Sequence, residues 1–167
     1  MIQAEKLAGG IDAFIDLVGR ATSWLALVLA LVMGSNVLLR YGFSIGSIAM
    51  QELEWHIMVP ICVFGVSYAL RHGEHVRVDV LFQYLSPRNK LRIEALTAIC
   101  GMLLAVIVIW LCIPYVWQSW SIGEGTANPG GIDHRYVIKA LIPIGFALFF
   151  MQSLSEAIKN SIALRRA

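Results

Sequence analysis

The side chains best able to form charged interactions are concentrated in one polar block, residues 71–79, after an apolar run that begins at Trp55. The block holds two arginines, two histidines, one glutamate and one aspartate. Charge at this density beside an apolar segment of membrane length indicates the cytoplasmic edge of a bilayer. These side chains can be solvated or can contact lipid head groups. A sharper alternative is that Arg77 and Asp79 pair with each other or with a partner, because partly buried charges need compensation.

The residue types that catalysis or cofactor binding would need are present but scattered. Cys62, Cys100 and Cys112 form no CxxC motif, and cysteines in apolar segments usually act as small hydrophobic residues. His56 lies in an apolar segment with no obvious second axial histidine for a haem. The sequence has neither zinc-ligand spacing nor a phosphate-binding glycine loop. We therefore expect no enzyme activity, no metal and no cofactor.

The composition is that of an integral membrane protein. Hydrophobic residues make up 58% of the 167 residues and charged residues only 14%, against about 25% in soluble domains. The mean hydropathy is +0.71. Each helical crossing of a bilayer takes about 20 residues, so little chain remains for a soluble domain. We expect a single membrane domain over residues 1–167 and no nucleic-acid partner.

Four apolar stretches predict an all-α membrane protein with four transmembrane helices and short amphipathic interfacial segments. Their flanking charges place the helices at about residues 21–40, 48–71, 87–123 and 136–158. Ser86 followed by Pro87 is typical of a helix N-cap with proline in the first helical position.

The N-terminal segment is expected to remain as an anchor. Residues 1–20 contain three acidic side chains, and no clear small-residue cleavage site follows the first apolar run. Apolar residues recur at helical spacing from Leu7 to Val18, which predicts an interfacial amphipathic turn leading into the first transmembrane helix.

Lysine and arginine are distributed unevenly between the two sides of the predicted helices. Ten of the 13 lie in the N-terminal segment, the middle loop and the C-terminal segment. The other three are Arg40, Arg135 and Lys139. The positive-inside rule therefore predicts that both termini and the middle loop are cytoplasmic.

Small residues recur every four positions on the first two helices. Ala26, Ala30 and Gly34 form one row, and a second row runs from Gly65 through residue 69 to Gly73. Such rows allow close approach of helix backbones in lipid. They can serve internal packing of the four helices or docking to another membrane subunit.

Short motifs along the chain resemble one family of membrane subunits. They are Glu-Leu-Glu-Trp at 52–55, Gly-Val-Ser-Tyr-Ala-Leu-Arg at 65–71, Gly-Glu-His-Val-Arg-Val-Asp at 73–79, and Ile-Pro-Ile-Gly at 142–145. Together they resemble the small membrane subunit of tripartite ATP-independent periplasmic (TRAP) transporters, the DctQ-like family. The resemblance covers all four predicted helices.

The resemblance implies a secondary transporter in three parts, located in the bacterial cytoplasmic (inner) membrane. A periplasmic solute-binding protein delivers an organic acid, and a large permease subunit imports it with a sodium gradient. This chain would form a heterodimer with the large subunit and would act as the scaffold of that subunit. It would also contact membrane lipids. The candidate contacts with a partner or with lipid are Glu52, Glu54, Gly65, Arg71, His75, Arg77, Asp79 and Glu124.

Two other classes of function remain open on the sequence. A membrane anchor of a redox complex is the main alternative, and a haem spectrum would identify it. A small multidrug-type exporter would need a carboxylate inside the membrane, and none of the four apolar cores contains Asp or Glu.

Overall fold

The computed structural model describes residues 2–74 and 84–166, except for the side chain of Ile2. This part of the chain forms four long helices: α1 (Ile2–Gly42), α2 (Ile48–His72), α3 (Pro87–Ser121) and α4 (Arg135–Arg166). Each of the four is long and apolar enough to cross a membrane. The predicted all-α architecture with four membrane-spanning helices is confirmed.

Helix α1 begins at Ile2, long before the predicted start near residue 21. Its 41 residues give a length of about 62 Å, roughly twice the hydrocarbon thickness of a bilayer. The segment expected to form a separate interfacial turn is instead continuous with the spanning helix. It is held there because Ile11 and Ile15 are buried in a small core with Leu148 of α4.

Local signals in the sequence define where α2 and α3 begin and where α2 ends. The Ser47 hydroxyl accepts a hydrogen bond from the Met50 amide, 3.3 Å away, at the start of α2. Ser86 caps α3 in the same way, with Pro87 in the first turn, as predicted. Gly73 ends α2 in the left-handed conformation, with φ 73°, which glycine adopts without steric strain.

Helix α4 is the centre of the packing. It contacts α1, α2 and α3. Among the four described helices, α1 also pairs with α2, and α3 packs extensively only against α4. Small residues permit the close contacts. A Cβ on Gly145 would lie 2.6 Å from the Val63 Cβ and 3.0 Å from the Val63 carbonyl oxygen, so α2 and α4 meet almost backbone to backbone. A Cβ on Gly101 would lie 3.0 Å from the Ser153 Oγ, at the α3–α4 contact.

The rows of small residues noted in the sequence do not lie at these close contacts between helices. A Cβ on Gly34 or Gly65 would meet nothing within 4 Å. Ala26 and Ala30 are exposed as well. Within the described residues, internal packing therefore uses other glycines, and these two positions remain open to lipid or to a partner.

We expect Gly145→Ala to destabilise the fold by about 1–3 kcal/mol, because the added methyl group overpacks the α2–α4 contact. Gly65→Ala is the matched control, and its effect should stay within about 1 kcal/mol in either direction. Thermal unfolding of each variant in mild detergent, followed by circular dichroism, measures the difference. Equal effects at both positions would contradict the close α2–α4 approach.

Candidate functional site

The carboxylates that bind several partners lie in clusters at two opposite ends of the helices. The loop end carries residues 122–134, which connect α3 to α4, and the turn between α1 and α2. The termini end carries the first half of α1, the end of α2 and the last turns of α4.

At the loop end, one carboxylate organises the whole connection between α3 and α4. Glu52 Oε1 accepts hydrogen bonds from the Thr126 hydroxyl at 2.5 Å and from Asn128 Nδ2 at 3.0 Å. Its Oε2 accepts one from the Ile132 amide at 2.6 Å. Arg135 Nη2 lies 3.9 Å from Oε1. We call these five residues the Glu52 cluster.

The backbone brings these groups together for identifiable reasons. Glu52 lies in the second turn of α2, on the side that the loop between α3 and α4 crosses. Gly131 allows the loop to pass directly over it, since a Cβ there would lie 2.5 Å from Oε2. Glu52 is only 5% exposed. The cluster therefore fastens the loop to the start of α2.

A second ion pair closes the same loop. Lys139 Nζ donates a hydrogen bond to Glu124 Oε2 and lies 4.1 Å from the centre of the Tyr115 ring. The hydrogen bond from Lys139 keeps the pKa of Glu124 below its ordinary value. The Arg135 amide also donates to the Glu124 carbonyl oxygen at 3.1 Å. The loop is thus tied at its start to α4 and in its middle to α2.

Glu54, two residues after Glu52, serves a different contact. The Asn36 side chain of α1 donates from Nδ2 to Glu54 Oε1 at 2.8 Å. Asn36 itself is 8% exposed. This bond joins α1 to α2 near the loop end without touching the loop.

At the termini end, Asp12 of α1 lies between α2 and α4. Its carboxylate accepts hydrogen bonds from the Ser155 hydroxyl at 2.7 Å, from Gln152 Nε2 at 3.2 Å and from Lys159 Nζ at 3.2 Å. Arg71 Nη1 of α2 lies 3.5 Å away. We call these residues the Asp12 cluster.

Neighbouring pairs extend this attachment along α1. Asp16 Oδ1 lies 3.0 Å from His72 Nε2, and Asp16 Oδ2 lies 3.8 Å from Arg71 Nε. Near the chain ends, Arg166 Nη2 donates to Glu5 Oε1 at 2.5 Å. The first half of α1 is thereby bound to both α2 and α4 by charge as well as by the small apolar core.

Four of the eight predicted contact residues have polar partners within the chain itself, and of these four Glu52 is buried while the others are half-buried. Glu52 and Glu124 hold the loop, Glu54 binds Asn36, and Arg71 belongs to the Asp12 cluster. Gly65 alone among the described ones faces open space. The remaining predicted contacts, His75, Arg77 and Asp79, lie outside the described residues.

Several residues of these clusters were not singled out from the sequence. Thr126 and Ser155 are ordinary loop or helix residues in isolation. Asp12 carries no local signal either, because its partner Gln152 is 140 positions away in the sequence.

The chemistry of the arrangement is that of structural ion pairs and hydrogen bonds. Within residues 2–74 and 84–166, no three His, Cys, Asp or Glu side chains are grouped so that they could hold a metal ion. His56 Nδ1 lies 2.6 Å from the carbonyl oxygen of Glu52 in the preceding turn. The clusters hold helix ends and one loop in place.

Comparison with known proteins gives a consistent result. A family model described as the DctQ component of tripartite ATP-independent periplasmic transporters matches residues 29–162. The chain is 23% identical over 126 residues to TeaB, the ectoine TRAP transporter small permease protein of Halomonas elongata. It is 30% identical over 107 residues to a Haemophilus influenzae protein named as a TRAP transporter small permease protein.

The alignments cover 75% and 64% of this chain, respectively. They cover 64% and 63% of the two relatives, slightly less than two thirds of each. No solved structure matches the chain significantly. The first half of α1, with Asp12, lies before the region that the family model matches.

We expect Glu52→Gln to loosen the loop, because a neutral amide is a weaker acceptor for the Ile132 amide and loses its attraction to Arg135. Hydrogen exchange at the Ile132 amide should become several-fold faster. Glu54→Gln is the control on the same helix, since among residues 2–74 and 84–166 the side chain of Glu54 has Asn36 as its only hydrogen-bond partner. Equal exchange rates in the wild type and in Glu52→Gln would mean that the cluster does not hold the loop.

Replacing Asp12 by Asn should cost about 1–3 kcal/mol of folding free energy, because three donors and Arg71 lose a buried charged acceptor. Asp16→Asn should cost less, since the Asp16 side chain is 22% exposed and that of Asp12 only 11%. Unfolding of both variants in mild detergent gives the comparison. A larger loss at Asp16 would overturn the ranking of the two carboxylates.

Proposed function

The chain belongs to the DctQ family of tripartite ATP-independent periplasmic transporter components, and we propose that it is the small membrane subunit of a three-part secondary transporter. Such subunits are transporter components and not enzymes. The protein is a multi-pass protein of the inner membrane. In this proposal it forms a heterodimer with a large permease subunit, and a periplasmic solute-binding protein delivers the substrate.

The observation that best supports an accessory role is where the charged side chains lie. The apolar cores at 21–39, 55–70, 95–123 and 140–155 contain no Asp, Glu, Lys or Arg. A carrier for a polar solute needs polar groups near the middle of the membrane. We infer that substrate and coupling ion pass through the large subunit, with this chain as its support.

The proposed substrate is an organic acid, taken up with a sodium gradient. This proposal comes from the family resemblance. One relative is named for ectoine. The solute of this chain's transporter is to be identified on the assembled complex.

The proposed orientation has both termini in the cytoplasm, which follows from the distribution of Lys and Arg. The loop end then faces the periplasm. In that orientation the Glu52 cluster and the Glu124–Lys139 pair would hold residues 122–134 in a fixed shape. A loop of fixed shape costs less conformational entropy when a partner binds, which suits contact with the solute-binding protein.

The redox-anchor alternative loses its support with the family assignment. It remains distinguishable by experiment, because a haem-binding subunit absorbs in the Soret region and co-purifies with soluble redox proteins. The same preparation can therefore test both functions.

The decisive experiment is purification of the tagged chain from its native host in mild detergent, with mass spectrometry and an absorbance scan of one sample. We expect a stoichiometric large membrane protein and no Soret band. Haem absorbance with soluble redox subunits would overturn the proposal, as would purification of the chain without any membrane partner.

A variant can then test one contact of the complex. Gly65→Leu adds bulk where an extra Cβ meets nothing inside the protein. The fold should be retained, while less large subunit co-purifies if this face packs against it. Unchanged yield of the complex together with unchanged uptake would exclude Gly65 from the interface.

A further inference from the structure

The turn between α1 and α2 exposes large apolar side chains although it lies at the end of the helices. Tyr41 is 79% exposed, Phe43 72% and Ile45 55%. The turn is nevertheless well defined, because the amides of Phe43 and Ile45 both donate to the Leu39 carbonyl oxygen at 3.1 Å. Two backbone donors of the turn are thus satisfied internally, which lowers the cost of placing the turn at the edge of the hydrocarbon region.

The turn continues an apolar surface that begins inside the membrane-spanning part of α1. Leu31, Leu38 and Tyr41 recur at helical spacing and are all exposed. Leu38 and Tyr41 therefore lie on the same face of α1, and whatever surrounds Leu38 also contacts Tyr41. For a helix that spans the bilayer, the ordinary medium at Leu38 is lipid acyl chain.

A charge beside the turn distinguishes it from the rest of the loop end. Arg40 is exposed and has no ion-pair or hydrogen-bond partner among residues 2–74 and 84–166. The two other cations at this end are paired, Arg135 with Glu52 and Lys139 with Glu124. A guanidinium left free at the membrane edge can bind a phosphate through two parallel hydrogen bonds.

The depth of the turn fits the boundary between head groups and acyl chains. It directly precedes α2, whose residue Glu52 contacts the loop that ends at Arg135. At the same end, the rings of Trp120 and Tyr136 lie 5.3 Å apart. Aromatic side chains concentrate at membrane interfaces because their apolar rings and polar edges suit both media.

We propose that residues 40–45 form a phospholipid-binding anchor. The Arg40 guanidinium binds a lipid phosphate, and Tyr41, Phe43 and Ile45 insert at the top of the acyl chains of the same leaflet. Apolar side chains next to one free cation match a phospholipid in both charge and polarity. The anchor fixes the depth of the α1–α2 pair, and it requires only that these two helices span the membrane, whichever transporter they serve.

Site-directed spin labelling tests where the turn lies. A label at Phe43→Cys, in a chain whose Cys62, Cys100 and Cys112 are replaced by Ala, is studied with its co-purified partners in nanodiscs of phosphatidylethanolamine and phosphatidylglycerol. We expect high accessibility to oxygen and low accessibility to a water-soluble nickel complex. Labels at Leu103→Cys, exposed in the middle of α3, and at Ala127→Cys, exposed in the loop, are the lipid and water references.

Two results would overturn the anchor. High nickel accessibility would place the turn in water, and low accessibility to both reagents would show that a protein partner covers it.

Arg40 variants test the phosphate contact separately. Arg40→Gln should shift the Phe43 label towards water, seen as a rise in its nickel accessibility, and Arg40→Lys should shift it less because the charge is kept. No shift in Arg40→Gln would overturn the role of the guanidinium. Loss of the large subunit from the preparation would bear on the proposed function and leave the depth of the turn measurable on the chain alone.

Discussion

Helices in a bilayer gain little from burying apolar surface against one another, because lipid tails are as apolar as their side chains. This constraint accounts for how the four helices are held together. Their close contacts are made where glycine removes the side chain, as at Gly145 against Val63. The side chains buried most completely include Gln152 and several serines, whereas the large apolar residues mostly face outward.

The two carboxylate clusters hold the helices together at their two opposite ends. The Asp12 cluster joins α1, α2 and α4, so the extended first half of α1 is part of the packed structure. The Glu52 cluster joins α2 to the loop that precedes α4. Each carboxylate is surrounded by several donors, which offsets the cost of removing it from water. Both ends of the helices are thus held by charged contacts, and the four apolar cores contain no Asp, Glu, Lys or Arg.

An open arrangement of helices gives that support a large outer surface. Because α3 packs extensively only against α4, most of its circumference faces outward, with Trp110 and Trp117 among its exposed residues. Gly34 and Gly65 lie on outward surfaces too, where a neighbouring helix could approach closely. The surface thus suits a subunit that works beside a larger membrane protein and among lipids.

The sequence by itself determined the class of the protein, the number of spans and the family. Composition and apolar run length suffice for the first two, because a bilayer imposes them on each helix separately. Ser86 and Pro87 predicted the start of α3 for the same reason, since a helix cap is formed by neighbours in the chain. The motifs at 52–55 and 65–79 indicated the family.

Only the tertiary structure showed which side chains contact one another. Glu52 and Glu124 were predicted to contact a partner or lipid, and the structure adds that their oxygens accept hydrogen bonds from the chain's own loop and from α4. The extent of α1, the partners of Asp12, and the difference between Gly65 and Gly145 could not be predicted either. Each depends on a contact between residues far apart in the sequence, and such contacts exist only once the helices have packed.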